Sequence, residues 1–207
     1  VYFNVLLVPV AAFGKLPQSQ QVKLSPDGNK IAFINNIAGN TMIGVTDLVE
    51  AKTRYLVSTD NQKFKIGWYL WANNDLLLVS ADYPVTSRTL KYTETRLLKV
   101  KIDGSEGFES VFKPRKSERV PQFQNNIIDL LPDEPDYILM ALDFKRANTP
   151  DVYKMNLTNN RKRERIYKGK SHINNWMTDQ QHKLRLGFGR DETKIFYRLF
   201  DIKKDEW

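Results

Sequence analysis

Cysteine is absent from the 207 residues, which excludes a disulfide framework, a thiolate metal site and a cysteine nucleophile. Also missing is any sustained i, i+3, i+4, i+7 apolar stripe, so no long amphipathic helix is predicted. The serine elbow G-x-S-x-G of α/β-hydrolases does not occur. Its nearest relative, Asp103-Gly104-Ser105-Glu106-Gly107, has the wrong spacing and falls where a hairpin turn belongs, so Ser105 is read as a turn residue. No glycine-rich loop suited to cradling phosphate is present. The apolar opening Val1-Tyr2-Phe3-Asn4-Val5-Leu6-Leu7-Val8-Pro9-Val10 is far short of the roughly 20 residues a membrane span needs. It also lacks the basic start and small-residue cleavage site of an intact signal peptide, and reads as the start of a mature chain or a packed lead-in strand, within a lead-in segment over residues 1–20.

What is present is a chain able to bury a core: 41% hydrophobic and 12% aromatic residues. The formal net charge of +8 would favour acidic partners only if it were concentrated on one surface. Most of it is scattered. The dense run Arg161-Lys162-Arg163-Glu164-Arg165, with Lys168 and Lys170, follows the turn-rich Thr158-Asn159-Asn160 and is read as a solvated turn and outer strand, not as a phosphate-binding patch. A nucleic-acid partner therefore rests on net charge alone and is not expected.

Short apolar runs separated by Gly, Asn, Asp and Pro clusters predict an all-β fold. A four-strand unit opens with Gln21-Val22-Lys23-Leu24, turns at Ser25-Pro26-Asp27-Gly28-Asn29, and continues through Lys30-Ile31-Ala32-Phe33-Ile34, residues 42–47 and residues 54–57. In that turn Pro26 presets φ, Asp27 can close an Asx turn and Gly28 accepts positive φ. The same order returns at 64–68, 76–79, 96–102 and 109–112, and again at 126–130, 137–142, 151–157 and 165–167. A fourth unit runs 173–177, 184–188 and 195–200, and its last strand is missing. A period of about 45 to 60 residues is that of propeller blades, here about 21–60, 63–115, 122–169 and 172–207. Runs such as Leu76-Leu77-Leu78-Val79 are apolar on both strand faces, as a sheet covered on each side requires; a two-layer sandwich would alternate more cleanly. The expected fold is thus a β-propeller fragment of about four blades, the last incomplete, with the remaining blades supplied by a parent protein.

Candidate chemistry is sparse. His172 and His182 fall at a blade junction and a hairpin with no third ligand at metal spacing, so hydrogen-bonding roles are expected. Asp133, Glu134 and Asp136 share one proline-containing turn, which suits an exposed loop better than an acid/base pair. Trp68, Trp71 and Trp176 recur near first strands and are read as packing between blades. Residues 82–94, with Pro84, Arg88, Lys91 and Tyr92, form the longest stretch lacking strand character and are read as a loop insertion, with contact to a substrate or a partner domain as the alternative. No catalytic, cofactor or metal residue is assigned.

The string Phe13-Gly14-Lys15-Leu16-Pro17, followed by residues 22–33, resembles the start of the N-terminal propeller in bacterial serine peptidases of the prolyl oligopeptidase family, of the dipeptidyl or acylaminoacyl peptidase kind. Thr95-Arg96-Leu97-Leu98 leading to Asp103-Gly104-Ser105, Asp129-Leu130-Leu131-Pro132-Asp133, and Trp176-Met177-Thr178-Asp179 with Leu184-Arg185-Leu186-Gly187 extend the likeness along the chain. The resemblance implies a propeller that caps a C-terminal α/β-hydrolase domain and screens peptide substrates, with no cofactor. The family's catalytic serine, aspartate and histidine belong to that other domain and match nothing here. The compartment is left open between exported and cytoplasmic, the resemblance favouring export. A stand-alone propeller of the TolB type, serving protein interaction, is the alternative function.

Overall fold

The computed structural model describes residue 14, residues 18–204 and residues 206–207; the predicted lead-in lies largely outside them. All sixteen elements among the described residues are strands, gathered into four sheets. The first joins β1 (Ser19–Leu24), β2 (Lys30–Ile37), β3 (Asn40–Asp47) and β4 (Lys52–Thr59) in that order. The second joins β5 (Lys65–Asn73), β6 (Leu76–Ser87), β7 (Leu90–Lys101) and β8 (Glu109–Ser110), with β9 (Phe123–Gln124) parallel to β7. The third is β10 (Ile127–Asp129), β11 (Tyr137–Leu142), β12 (Asp151–Asn156) and β13 (Arg163–Tyr167); the fourth is β14 (Asn175–Thr178), β15 (Leu184–Asp191) and β16 (Lys194–Leu199). Apart from β9, every pairing is antiparallel between chain neighbours, which keeps the turns short.

The first turn forms as its residues dictate. Ser25 Oγ donates to Asp27 Oδ1 at 2.6 Å, the same carboxylate oxygen accepts from the Asn29 N–H at 3.1 Å, and Gly28 takes φ +74°.

The core lies between sheets rather than inside any one of them. Ala32, Ile34, Ile43 and Val45 of the first sheet meet Tyr69, Trp71, Leu77 and Val79 of the second. Leu78 and Leu97, on the opposite face of the second sheet, meet Ile138, Met140 and Tyr153 of the third. Ala141 and Val152, on the third sheet's other face, meet Ile173 and Trp176 of the fourth unit. Neighbouring residues on a strand thus serve opposite neighbours, which is why these strands are apolar on both faces. Polar ties reinforce the first joint. The buried Tyr69 hydroxyl lies between the Gln21 and Ala32 carbonyls, 2.6 Å from the latter, and Trp71 Nε1 donates to the Lys23 carbonyl at 3.2 Å.

At the two ends of the stack the pattern continues with no neighbouring sheet among the described residues. Leu24 and Tyr55 of the first sheet are exposed, beside half-buried Ile31 and Phe33. On the fourth sheet Met177, Ile195, Tyr197 and Leu199 share one face, and the last two are each 66% exposed.

Several strand bounds depart from the sequence expectation. β1 opens at Ser19, β3 at Asn40 and β4 at Lys52, each two residues early, β5 runs on to Asn73, and β9 was not foreseen. The larger correction concerns residues 82–94. They are not a loop: β6 and β7 stay in register from Leu76↔Lys101 to Ser87↔Leu90 and project as a two-stranded arm. The alternation of Tyr83 and Val85 opposite Glu94 and Tyr92 carries the pairing. Pro84 is tolerated because β5 ends its pairing at Asp82, so no partner requires a Pro84 N–H.

Candidate functional site

The joints between sheets open into grooves at the ends of the strands. One of about 790 Å³ lies between the second and third sheets. Its walls come from the β5–β6 turn, the end of β7 and the following turn, and the turns that flank β11 and β12. Lys99 Nζ crosses the joint to the Leu157 carbonyl at 2.6 Å and pairs with Glu109 at 3.1 Å, while Lys101 pairs with Glu106 at 2.9 Å. That pairing, first as a hydrogen bond and then through charge, raises the Lys101 pKa. The carboxylates of Asp75, Asp103, Glu106, Glu109 and Asp136 outnumber the ammonium groups of Lys99 and Lys101, so the groove is negative in a chain of net charge +8. Such a lining attracts cations but holds no nucleophile with a positioned base.

The residues singled out by sequence are dispersed. Ser105 sits in an exposed turn with Oγ and N–H both directed to Asp103 Oδ1, at 2.7 and 2.9 Å; those bonds, the backbone one foremost, lower the Asp103 pKa. His172 stacks on Phe196 with ring centroids 4.7 Å apart, 3.2 Å from Asp191. His182 Nδ1 lies 2.9 Å from Asp129 Oδ1, and the other oxygen of that carboxylate accepts from the Thr178 hydroxyl, which ties the third sheet to the fourth. Burial opposes ionisation of Asp129, but bonds from Thr178, the Leu131 N–H and His182 outweigh it and lower its pKa. Asp133, Glu134 and Asp136 are all exposed, Glu134 pairing with Lys154 and Asp136 facing the large groove. Trp71, Trp68 and Trp176 each pack in a different joint, as read from the sequence.

The basic run requires a correction. Arg161, Lys162 and Arg165 are exposed, but the Arg163 side chain is only 2% exposed, where a solvated run was expected. It pairs with Glu118 and stacks over the Phe144 ring at 4.5 Å. Glu118 lies 45 residues upstream, so no local pattern could pair the two. Likewise Asp75 and Asp103 were legible only as turn formers. Their shared groove follows from blade stacking, and the one available signal was the return of an aspartate in the same turn of successive units, Asp27, Asp75, Asp136 and Asp179.

With this geometry in hand, comparison with known proteins settles the architecture. No protein-family profile and no curated protein matches the sequence. Among solved structures the chain is similar to dipeptidyl peptidase 4 of Porphyromonas gingivalis, at 14% identity and a TM-score of 0.59 over 93% of this chain and 32% of that one. It is similar to the acylaminoacyl peptidase of Pyrococcus horikoshii, at 16% identity and 0.52 over 88% and 31%, and to an oligogalacturonate lyase solved with manganese, at 12% and 0.60 over 92% and 53%. The fold is a β-propeller segment. Its four sheets are four blades, and the chain spans about a third of the length of the two peptidases and about half that of the lyase.

Proposed function

We propose that this segment is the non-catalytic N-terminal part of a serine peptidase propeller, gating the access of peptides to a C-terminal α/β-hydrolase domain. The observation that carries the reading is the pair of apolar blade faces at the two ends of the stack, built like the buried faces between them. Faces of that kind call for further blades of the same parent protein as neighbours. The likeness to two peptidases, together with the ordered motifs from residue 13 onward, supports the choice of parent.

Reading the gene past Trp207 and assaying both products tests this. The longer chain is expected to cleave short peptides, to spare the same sequence inside a folded protein, and to react with a fluorophosphonate probe at a serine beyond residue 207. The 207-residue chain is expected to do none of these. A longer chain that ends after more blades with no probe-reactive serine overturns the peptidase reading in favour of a stand-alone interaction propeller. One that cleaves folded and short substrates alike overturns gating.

A further inference from the structure

We propose that a second, smaller groove, walled by blade 3, the β9 segment and the start of blade 4, binds the main chain of an extended peptide. It encloses about 290 Å³ and lies at the strand ends from which the β6–β7 arm projects. Four carboxamides line it: Gln122, Asn126, Asn148 and Asn174. The side-chain amides of Asn126 and Asn148 have no hydrogen-bond partner among the described residues, and Asn174 uses only its oxygen, accepting from Asn175 at 2.7 Å. Each free carboxamide offers a donor and an acceptor side by side, the same pair that every peptide unit presents in reverse.

The backbone holds these amides in place. Asn148 stands at φ +55°, with its own N–H donated to Asp143 Oδ2 at 3.0 Å. Asp143 also pairs with Arg119 at 2.5 Å, so the groove's two charged side chains neutralise one another and demand no charge of the ligand. One wall is Phe123, 59% exposed, fixed there by the pairing of β9 with Thr95 of β7. A large aromatic ring left mostly exposed beside these amides supplies the apolar half of a peptide subsite. Gln122, next to it, donates to the Thr93 carbonyl at 3.0 Å and so joins the groove to the arm.

The inference deepens the peptide-handling function proposed above, but its test needs no catalytic domain. The ¹⁵N-labelled 207-residue chain is titrated with N-acetyl-tetraalanine amide, a probe without charges. Saturable shifts of the Asn126 and Asn148 side-chain NH₂ signals are expected, with a dissociation constant on the order of 1 mM. Asn126→Ala with Asn148→Ala should weaken binding at least about tenfold, the loss of roughly two hydrogen bonds. Phe123→Ala should weaken it several-fold, while Asp136→Asn in the larger groove leaves it unchanged. All three groove residues are at most partly buried, so an unchanged thermal midpoint verifies that the variants fold. Absent or non-saturable shifts, undiminished binding by the double variant, or maltohexaose occupying the groove in place of the peptide each overturn the proposal. Peptide binding here with no hydrolase domain downstream sinks gating alone; a downstream peptidase with no binding here sinks this site alone.

Discussion

Removing the carboxylate of Glu118 should destabilise the chain more than removing any exposed charge. The pair it forms with Arg163 is buried on both sides, with side chains 7% and 2% exposed, and Arg163 Nε has no hydrogen-bond partner. Glu118→Ala therefore strands a guanidinium that keeps only the Lys113 carbonyl, at 3.1 Å, and the Phe144 ring. Breaking a buried pair from one side costs about 3 to 5 kcal/mol. With a urea m-value of about 3 kcal/mol/M, the unfolding midpoint followed by tryptophan fluorescence should fall by about 1 to 1.7 M. Replacing both partners by apolar residues, Glu118→Leu with Arg163→Met, removes the stranded charge and the unpartnered Nε together, and should recover most of that loss. A single variant within about 0.5 kcal/mol of the parent, or a double variant less stable than the single, would refute the reasoning.

Four other outcomes follow from the joints. Tyr69→Phe leaves the Gln21 and Ala32 carbonyls without their shared donor and should cost about 1 to 3 kcal/mol by urea unfolding, with faster amide exchange in β1 and β2. Burial pushes Tyr69 and Tyr153 up to about 12, so two of the nine tyrosines should resist ionisation in an absorbance titration; the unfolded chain ionises first, and stability should fall as pH rises above 10. Against the opposing effect of burial, hydrogen bonds and ion pairing hold the carboxyls of Asp129 and Glu118 below the ordinary carboxylate range in the folded chain, so the stability they contribute is present above that range and is lost as pH falls through it, which urea midpoints at pH 7 and pH 3 will register. Finally, a Cβ on Gly189 would overlap the His172 carbonyl oxygen, a backbone atom with little room to yield, so Gly189→Ala should loosen β14 and β15 in hydrogen exchange while blades 1 and 2 keep their protection.

The blades were legible because stacking writes itself into each strand. Leu77 and Leu78 point to different neighbours, and both must be apolar, so a doubly apolar run between turn residues identifies a covered sheet before any coordinates exist. The arm was misread for the converse reason. Beyond Asp82 it has no covering sheet, so Thr86, Arg88, Lys91 and Thr93 replace apolar residues and the run looks like a loop, although the pairing itself continues. Register depends on backbone hydrogen bonds, which any residue but proline supplies, and Pro84 stands on a free edge where its missing N–H costs nothing.

The sites were harder to see than the fold, and the cause lies in the architecture. Each of the two grooves draws its walls from more than one blade, so its members stand far apart in sequence: Asn126 and Asn174 in the smaller, Asp75 and Asp136 in the larger. None of these residues belongs to a motif, because a turn needs asparagine or aspartate for its own closure whether or not the side chain also faces a groove. The distinction appears only in what each side chain does once folded. Asp27, Asp103 and Asp179 spend their carboxylates on neighbouring backbone N–H groups, whereas the amides of Asn126 and Asn148 are left uncommitted. In a repeated fold the polar residue that its own turn does not use is therefore the one to test for a ligand, a criterion that Asn126 and Asn148 meet in the smaller groove and that the carboxylates of Asp75 and Asp136 meet in the larger one.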